Sequence, residues 1–269
     1  MDRFFRWGIC LGSVRVYDVI TSHRYDKPSK NMTRALHASG SVRYAIYWAP
    51  PEGSALAELG AAWLGRDATA DRPLKRFAIN DFDENVLAAI TAEPRRYGLH
   101  ATLKPPFVLA KQQILAELEA ELRAFAARTA PIIAPHLRVT RLGHFLALTL
   151  SQPANAIDAL ANSCVERFDR FRAPPWRQEL ARRRKAGLTP AQEENLQRWG
   201  YPYAMNEFRF HVSLTGSIAR PLADRLLPEL TNLFAPVASH PLELNEIALF
   251  VEPAPGAPFR LLRRFALTG

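Results

Sequence analysis

The chain has 269 residues, of which 48% are hydrophobic and 23% charged, an ordinary composition for a globular protein with a sizeable core. Its formal charge of +9 is uneven, because residues 1–43 carry eight basic and three acidic side chains, so the mildly basic remainder suits a small anionic molecule better than a nucleic-acid surface. Cys10 and Cys164 define neither a disulfide framework nor a zinc-ligand spacing, and no apolar run reaches the roughly 18 residues of a membrane span, so we expect a cytoplasmic protein with no membrane partner.

The first 41 residues show no helical or strand period and contain few apolar clusters after Val19. We therefore expect residues 1–41 to form a poorly ordered basic extension and residues 42–269 to form the folded domain. Met32 lies shortly before the first predicted strand, and translation from it is an alternative to a start at Met1. Mass spectrometry of the N-terminus of the native protein would distinguish the two starts.

Strand and helix patterns then follow one another along the whole domain. The first half is predicted to contain a strand at 42–48, a helix from its N-cap Ser54 to Gly65, a helix at 82–92 that ends before Pro94, a strand at 98–104, a helix at 111–128, and strands at 132–141 and 144–150 joined around Gly143. The second half is predicted to contain helices at 154–170, at 178–185 and from Thr189 to Gly200, a strand at 207–215, a helix at 220–233, and strands at 242–251 and 258–267.

This order contains an internal repeat of architecture. A strand followed by a helix and a β-hairpin occurs at 98–150 and again at 207–267. Two such units meeting side by side predict an α+β fold with mixed sheets, in which two lobes surround a cleft.

Each repeat begins with a histidine that is followed two residues later by a small hydroxyl side chain, as His100-x-Thr102 and His211-x-Ser213. Successive side chains of a strand point to opposite faces, so each histidine shares a face with its hydroxyl, while the other face is apolar. Of the seven histidines in the chain, only these two combine the hydroxyl with a strand pattern. Two satisfied structural histidines would give the same pattern, but its repetition favours a chemical role.

Two imidazoles that face one cleft suit paired general acid–base catalysis, because a histidine pKa of about 6.5 allows one neutral and one protonated ring. The neutral ring takes a proton from water, and the charged ring gives one to the leaving oxygen. The hydroxyls of Thr102 and Ser213 can donate to non-bridging phosphate oxygens. Lys104 and Arg209 share these faces by strand alternation and are candidate substrate-binding cations. A cyclic phosphodiester fits this arrangement, which in principle needs no metal and no cofactor.

These motifs resemble the signature of the two-histidine (2H) phosphoesterase superfamily, with His100, Thr102, His211 and Ser213 at its catalytic positions. The resemblance implies two pseudosymmetric α+β lobes, each a mixed or antiparallel sheet with helices outside, around a central cleft. It also implies metal-independent action on 2′,3′- or 1″,2″-cyclic phosphates. Further stretches resemble one branch, which is encoded alongside phosphonate-utilisation genes: residues 43–51, 61–67, 100–107 and 199–203. The resemblance covers about residues 42–267 and does not assign the base and the acid.

The branch implies a small sugar phosphate as substrate, such as a ribose 1,2-cyclic phosphate that carries a 5-phosphate. We expect Lys104 or Arg209 to bind the second phosphate. The candidate cleft-lining aromatic residues, for each of which a core or surface position is an equal alternative, are Tyr44, Tyr47, Tyr201 and Tyr203.

Other interpretations remain open. A protein that binds or processes RNA ends with 2′,3′-cyclic phosphates would use the same cleft and bind oligonucleotides in a salt-sensitive way, although the sequence has no aromatic-rich RNA motif. A metal-dependent hydrolase needs clustered His and Asp ligands, and no such spacing occurs. The basic run 182–185 is interpreted as a solvated helix face rather than a phosphate site. The oligomeric state is not predicted.

Overall fold

The computed structural model describes residues 42–79, 81–175, 177–185 and 187–269. The predicted extension at 1–41 and the alternative start at Met32 lie outside these residues. The described part of the chain forms one compact unit of eleven strands and seven helices. None of these helices has both the length and the apolar character needed to cross a bilayer.

Strands and helices follow one another in the predicted α+β order, and this fold class is confirmed. The strands are β1 (Arg43–Trp48), β2 (Arg66–Asp67), β3 (Arg72–Pro73), β4 (Ala101–Phe107), β5 (Ile132–Ala134), β6 (Leu137–Leu142), β7 (Phe145–Leu150), β8 (His211–Ser213), β9 (Leu242–Leu244), β10 (Glu246–Glu252) and β11 (Arg260–Ala266). The helices are α1 (Ala55–Leu64), α2 (Glu84–Tyr97), α3 (Leu115–Ala126), α4 (Asn155–Arg167), α5 (Arg177–Arg184), α6 (Pro190–Trp199) and α7 (Arg220–Ala238), with 3-10 turns at Asp169–Phe171 and Met205–Glu207.

Seven strands form one antiparallel sheet in the order β11-β10-β1-β4-β8-β7-β6. The two histidine strands β4 and β8 are neighbours inside this sheet, paired through Ala101 and Val212. The two predicted lobes are therefore halves of one sheet that meet along β4 and β8. The hairpin that follows each histidine strand lies in the half of the sheet that holds the other histidine strand: β6-β7 is beside β8, and β10-β11 is beside β1, which pairs with β4. This exchange of hairpins holds both motifs in one continuous surface.

Helices that follow the histidine strands pack on the sheet with one apolar stripe. α7 buries Leu226, Leu230 and Phe234 completely, at a spacing of four residues, and it packs against β6. α3 buries Leu118 and Leu122 in the same way and packs against β11. Each fully buried apolar side chain contributes about 1.5–3 kcal/mol, so these stripes fix both helices on the halves of the sheet.

The predicted caps of α1 are confirmed. Ser54 precedes the helix and its Oγ accepts a hydrogen bond from the Ala57 N–H at 3.2 Å, while Gly65 ends the helix with φ of +70°. In α6, Thr189 forms a capping box with Gln192. Helix ends that depend on residues within one turn could thus be located from the sequence.

The prediction that the second helix ends before Pro94 is wrong, since α2 continues through Pro94 to Tyr97. A proline has no N–H and leaves the carbonyl four residues earlier without its helical partner. Here that carbonyl, on Ile90, accepts a hydrogen bond from the Gly216 N–H at 2.7 Å. Gly216 follows the second histidine motif, so this bond also ties α2 to the segment that leaves β8.

Other bounds also differ from the prediction: β4 runs three residues later than the predicted 98–104, and the strand predicted at 242–251 is divided into β9 and β10. The strand predicted at 132–141 is divided, and its first part, β5, pairs with β9 in a separate two-stranded sheet. β8 has three residues rather than the predicted nine, and the 3-10 turn at Met205–Glu207 overlaps the start of the predicted range. α7 continues to Ala238 with Pro228 and Pro236 inside it.

Candidate active site

The two motifs meet where β4 and β8 pair. Extended by one residue in each direction, the antiparallel register places His100 opposite Ser213 and Thr102 opposite His211. All four side chains therefore belong to one face, and each histidine lies across from the hydroxyl of the other motif. The imidazoles occupy a diagonal of this square, where the Cα atoms of antiparallel strands are about 7–8 Å apart. Such a separation leaves room for one phosphate group between the two rings.

This face opens into a cleft of about 410 Å³, a size that suits a small molecule. All four motif side chains line the cleft, together with the rings of Tyr47, Phe145 and Tyr201. No group of three or more His, Cys, Asp or Glu side chains in the described ranges is arranged to hold a metal ion.

His100 is fixed in one tautomer by the backbone. Its Nδ1 lies 2.9 Å from the Gly98 carbonyl oxygen, which can only accept, so Nδ1 carries the proton and Nε2 keeps a lone pair, which accepts a hydrogen bond from the Thr102 hydroxyl. Nε2 lies 3.3 Å from Thr102 Oγ1, and the Tyr47 ring packs on the imidazole with 3.9 Å between ring centroids. Burial, with a smaller contribution from His211, lowers the pKa of His100 to about 4. The neutral form, which can accept a proton, is therefore favoured at neutral pH.

His211 has the same arrangement on the other strand. Its Nδ1 donates to the Arg209 carbonyl oxygen at 2.8 Å, so its Nε2 also has a free lone pair. Burial lowers the pKa of His211 below its ordinary value, and the bond to Arg209 partly opposes this shift. Arg209, predicted to bind substrate through its guanidinium, thus also orients a histidine through its carbonyl.

The prediction that Lys104 faces the cleft is wrong. The pairing of β1 with β4 shifts by one residue between Thr102, opposite Tyr47, and Lys104, opposite Ile46. Such a β-bulge turns the following side chain to the other face. Lys104 is buried there, its Nζ donates to the Val165 carbonyl oxygen at 3.0 Å, and burial lowers its pKa to about 8. It ties β4 to α4 and does not reach the cleft.

The four tyrosines that were candidates for the cleft separate into three groups. Tyr44 lies three residues before Tyr47 on β1, so the two side chains are on opposite faces of the sheet. Tyr44 is buried there, and burial raises its pKa to about 12, so its prediction as a cleft residue is wrong. Tyr47 and Tyr201 line the cleft. Tyr203 packs edge-on against Tyr201 and lines a neighbouring chamber instead.

That chamber, of about 470 Å³, adjoins the cleft and shares Thr102, Phe145, Tyr201 and His211 with it. Its other walls are mostly apolar, although Asn162, Gln192, Glu207 and Arg209 also line it. The Asn162 Oδ1 is buried and has no hydrogen-bond donor among the described residues. The chamber therefore offers an apolar space with one unused acceptor, directly beside the second motif.

Sequence reasoning missed four charged residues of the cleft, which are Arg43, Glu93, Arg182 and Arg183. Arg183 is half-buried, so the interpretation of the run 182–185 as a solvated face is wrong for this residue. Arg182 and Arg184 are exposed as predicted, and Arg184 pairs with Glu193 at 2.6 Å. The alternative phosphate-site interpretation of the run was the signal that pointed to Arg182 and Arg183. Glu93 also lines the cleft, and no sequence pattern pointed to it.

Gly98 is expected to be essential for positioning His100. Its φ of +77° and ψ of 175° are open almost only to glycine, and an added Cβ would lie 2.4 Å from the Ala68 Cβ. We expect Gly98→Ala to cost about 1–3 kcal/mol of unfolding free energy and to rotate the carbonyl that holds His100. Urea denaturation and activity measured on the same preparation check this expectation.

Gly53→Ala is the matched control, because Gly53 has φ of +75° but an added Cβ there meets nothing within 4 Å. Gly53→Ala should lose only about 1–2 kcal/mol of unfolding free energy, which is the cost of the left-handed backbone conformation, and should keep full activity. A Gly98→Ala variant with the stability and rate of the unaltered chain would contradict the positioning role.

The fold and the two facing His-x-hydroxyl motifs have the arrangement that the resemblance to the two-histidine phosphoesterase superfamily implied. The chain belongs to the family described as "Protein of unknown function (DUF1045)", whose model matches residues 102–260.

Two curated relatives share the name "Ribose 1,5-bisphosphate phosphokinase PhnN". The protein from Janthinobacterium sp. (strain Marseille) is 39% identical over 232 residues, and that from Laribacter hongkongensis (strain HLHK9) is 36% identical over 229 residues. These matches cover 85% and 82% of this chain and 51% of each relative. The chain thus spans about half the length of the curated relatives it matches.

Solved structures of low sequence identity are also similar. "Crystal structure of E.coli LigT complexed with NADP+" is 14% identical with a TM-score of 0.41, covering 86% of this chain and 100% of that one. The crystal structure of TT0787 from Thermus thermophilus is 16% identical with a TM-score of 0.43, covering 84% of this chain and 98% of that one.

Proposed function

We propose that the chain is a phosphoester hydrolase that opens the cyclic phosphodiester of a small sugar phosphate without a metal ion. The observation that carries this proposal is the diagonal placement of His100 and His211 in one cleft. Each imidazole has its Nδ1 proton committed to a backbone carbonyl and its Nε2 left for proton transfer. Paired acid and base groups are what the attack of water on phosphorus and the departure of an alkoxide require.

His100 is assigned as the base and His211 as the acid. The lower pKa of His100, about 4, keeps it neutral and able to accept a proton from the attacking water. The pKa of His211 is lowered by burial alone, and the negative charge of a bound phosphate raises the pKa of a nearby imidazole. The water oxygen bonds to phosphorus, the ring P–O bond breaks, and the His211 proton goes to the departing oxygen.

The hydroxyls of Thr102 and Ser213 are assigned to the two non-bridging oxygens of the phosphate. Each hydroxyl lies opposite the histidine of the other strand, so the phosphate is contacted from both strands. Donors placed before the reaction stabilise the charge that grows on these oxygens in the transition state.

The proposed substrate is a ribose 1,2-cyclic phosphate that carries a 5-phosphate. If water attacks phosphorus and the 2-oxygen leaves, the phosphate stays on the 1-oxygen and the product is ribose 1,5-bisphosphate. That compound appears in the name of both curated relatives. The chain itself contains no G-x-x-x-x-G-K-[ST] nucleotide-phosphate loop, so we assign hydrolysis to it rather than phosphate transfer from a nucleotide.

The test is a panel of cyclic phosphates, from ribose 1,2-cyclic phosphates to nucleotide 2′,3′-cyclic phosphates, followed by phosphorus NMR in the presence of a chelator. We expect the signal of the ribose cyclic phosphate to be replaced by a monoester signal coupled to the proton on carbon 1. Failure to open any cyclic phosphate, or turnover only after a divalent ion is restored, would overturn the proposal.

A second candidate function is the processing or binding of RNA ends that carry a 2′,3′-cyclic phosphate. The apolar chamber beside the cleft favours it, because Phe145, Tyr201 and Tyr203 could hold a base next to the histidines. In the panel, this function predicts faster turnover of nucleotide 2′,3′-cyclic phosphates than of ribose 1,2-cyclic phosphates. Salt-sensitive oligonucleotide binding without turnover would indicate a binding protein.

The pH dependence of kcat/KM is expected to be bell-shaped with its optimum below pH 6.5. Activity should rise as the pH increases through about 4, where His100 becomes neutral, and fall as the pH passes the lowered pKa of His211, which lies below 6.5. The substrate used for this profile should carry no phosphate monoester, because the titration of that group would otherwise add to the pH dependence. In the profile of kcat, the bound phosphate should move both limbs to higher pH. A kcat/KM that does not change between pH 4 and pH 8 would contradict the assignment.

A further inference from the structure

We propose that Arg182 and Arg183 form an anion subsite that binds a second phosphate group of the substrate, a phosphate monoester remote from the cyclic phosphate. This inference rests on the proposed function and names the substrate class more closely. It also replaces the sequence prediction for the second phosphate, because Lys104 is buried on the other face of β4 and Arg209 lines the apolar chamber.

The anion subsite belongs to the histidine cleft. Arg182 and Arg183 lie in the last turn of α5, and both line the same cleft as His100 and His211. Arg182 also lines an adjoining groove together with Arg43, which itself reaches the cleft. Positive side chains from two separate segments therefore meet along one side of the cleft.

Arg183 is held in place before any ligand arrives. Its side chain is only 17% exposed, its guanidinium lies 5.2 Å from the centroid of the Tyr201 ring, and its Nη2 donates to Glu179 at 2.8 Å. Its Nε is buried and has no acceptor among the described residues. A guanidinium has five N–H donors in a rigid fork that matches a phosphate, and the bond to Glu179 uses only one of them, so the remaining Nη N–H groups of an ordered Arg183 can bind a phosphate with little loss of freedom.

The charges around the cleft favour one orientation of a substrate with two phosphates. Arg43 is paired with Glu252, which also holds Arg96, so its positive charge is largely compensated. The carboxylate of the cleft is Glu93, which approaches Gly216 just after the second motif. A phosphate monoester is repelled there. On the arginine side Glu179 compensates part of the charge of Arg183, and Arg182 adds a second positive charge, so the second phosphate is expected at the arginine side.

The chemistry of the anion subsite matches the phosphate monoester of a sugar 5-phosphate, which ribose 5-phosphate also presents. Because such a compound has no cyclic phosphate, its binding reports the anion subsite without any turnover. Binding at the anion subsite and opening of the cyclic phosphate can thus be measured separately.

The first experiment compares two substrates, ribose 1,2-cyclic phosphate with and without a 5-phosphate. Arg183→Ala should lower kcat/KM for the 5-phosphorylated substrate about 10- to 100-fold, mainly through KM, because a charge-assisted bidentate contact is lost. The substrate without the 5-phosphate should change less than about 2-fold, as it makes no such contact. Arg183→Lys keeps the positive charge but lacks the planar guanidinium, so its kcat/KM for the 5-phosphorylated substrate should lie between those of the unaltered chain and Arg183→Ala. The lysine variant still tests the contact if the alanine variant loses local structure.

Arg184→Ala is the matched control, since Arg184 follows directly on the same helix and pairs with Glu193. It should leave both substrates unchanged. Equal losses with both substrates in Arg183→Ala, or no loss with either, would overturn the anion subsite.

The second experiment measures ribose 5-phosphate binding by calorimetry. The unaltered chain should bind it, Arg183→Ala should weaken binding about 10-fold or more, and Arg184→Ala should not change it. If no cyclic phosphate is opened but Arg183→Ala still weakens this binding, the proposed reaction fails and the anion subsite stands. If cyclic phosphates are opened but ribose 5-phosphate does not bind, the anion subsite fails and the reaction stands.

Discussion

Alanine at either His100 or His211 is expected to lower turnover of the cyclic phosphate by about 10²-fold or more, because general acid–base steps supply roughly 10²–10⁴-fold. The loss should appear in kcat, since proton transfer takes place in the transition state. The double variant should lose less than the product of the two single losses, because both rings act in one step. Initial rates from phosphorus NMR or from a coupled assay measure these changes.

His136→Ala is the matched control. His136 contacts Ser151 in an exposed position and does not line the cleft, so its removal should leave kcat within about 2-fold of the unaltered chain. Thermal denaturation should show that the His100 and His211 variants remain folded. A folded variant at either position with a near-normal rate would rule out paired acid–base catalysis.

Local sequence patterns were sufficient for much of the fold and for the central part of the candidate site. A cap such as Ser54 or Gly65 acts within one turn of its helix, and strand alternation places His100 and Thr102 on the same face. The architectural repeat placed the two motifs in corresponding positions. These features depend on neighbours in the chain, so a single sequence reveals them.

Features that depend on distant partners could not be read in this way. Lys104 leaves the predicted face because β4 has a bulge against β1. Pro105 and Pro106 in this central strand are typical of a bulge, but they do not specify at which residue the pairing shifts. Pro94 stays inside α2 because the Ile90 carbonyl finds a donor in Gly216, far along the chain. In each case a tertiary contact overrides a local rule.

The arrangement of the sheet has the same origin. Each hairpin lies in the half of the sheet that holds the histidine strand of the other repeat, which the order of elements along the chain does not specify. The direction of Arg182 and Arg183 also follows from where α5 packs, since the basic run 182–185 has no apolar face to orient it. The residues that the sequence missed are therefore those whose direction is set by packing between segments.

Removal of either motif hydroxyl is the second large expected effect. Thr102→Val and Ser213→Ala should each lower kcat about 10²-fold, in the range found when a donor to a developing negative charge is lost. Thr102→Ser and Ser213→Thr keep the hydroxyl and should retain most of the activity. Thr140→Val is the control, because Thr140 pairs with Thr149 on neighbouring strands and does not line the cleft. If the hydroxyl-free variants change KM but not kcat, Thr102 and Ser213 bind the substrate and the transition state equally well, and the role proposed for them in the transition state is excluded.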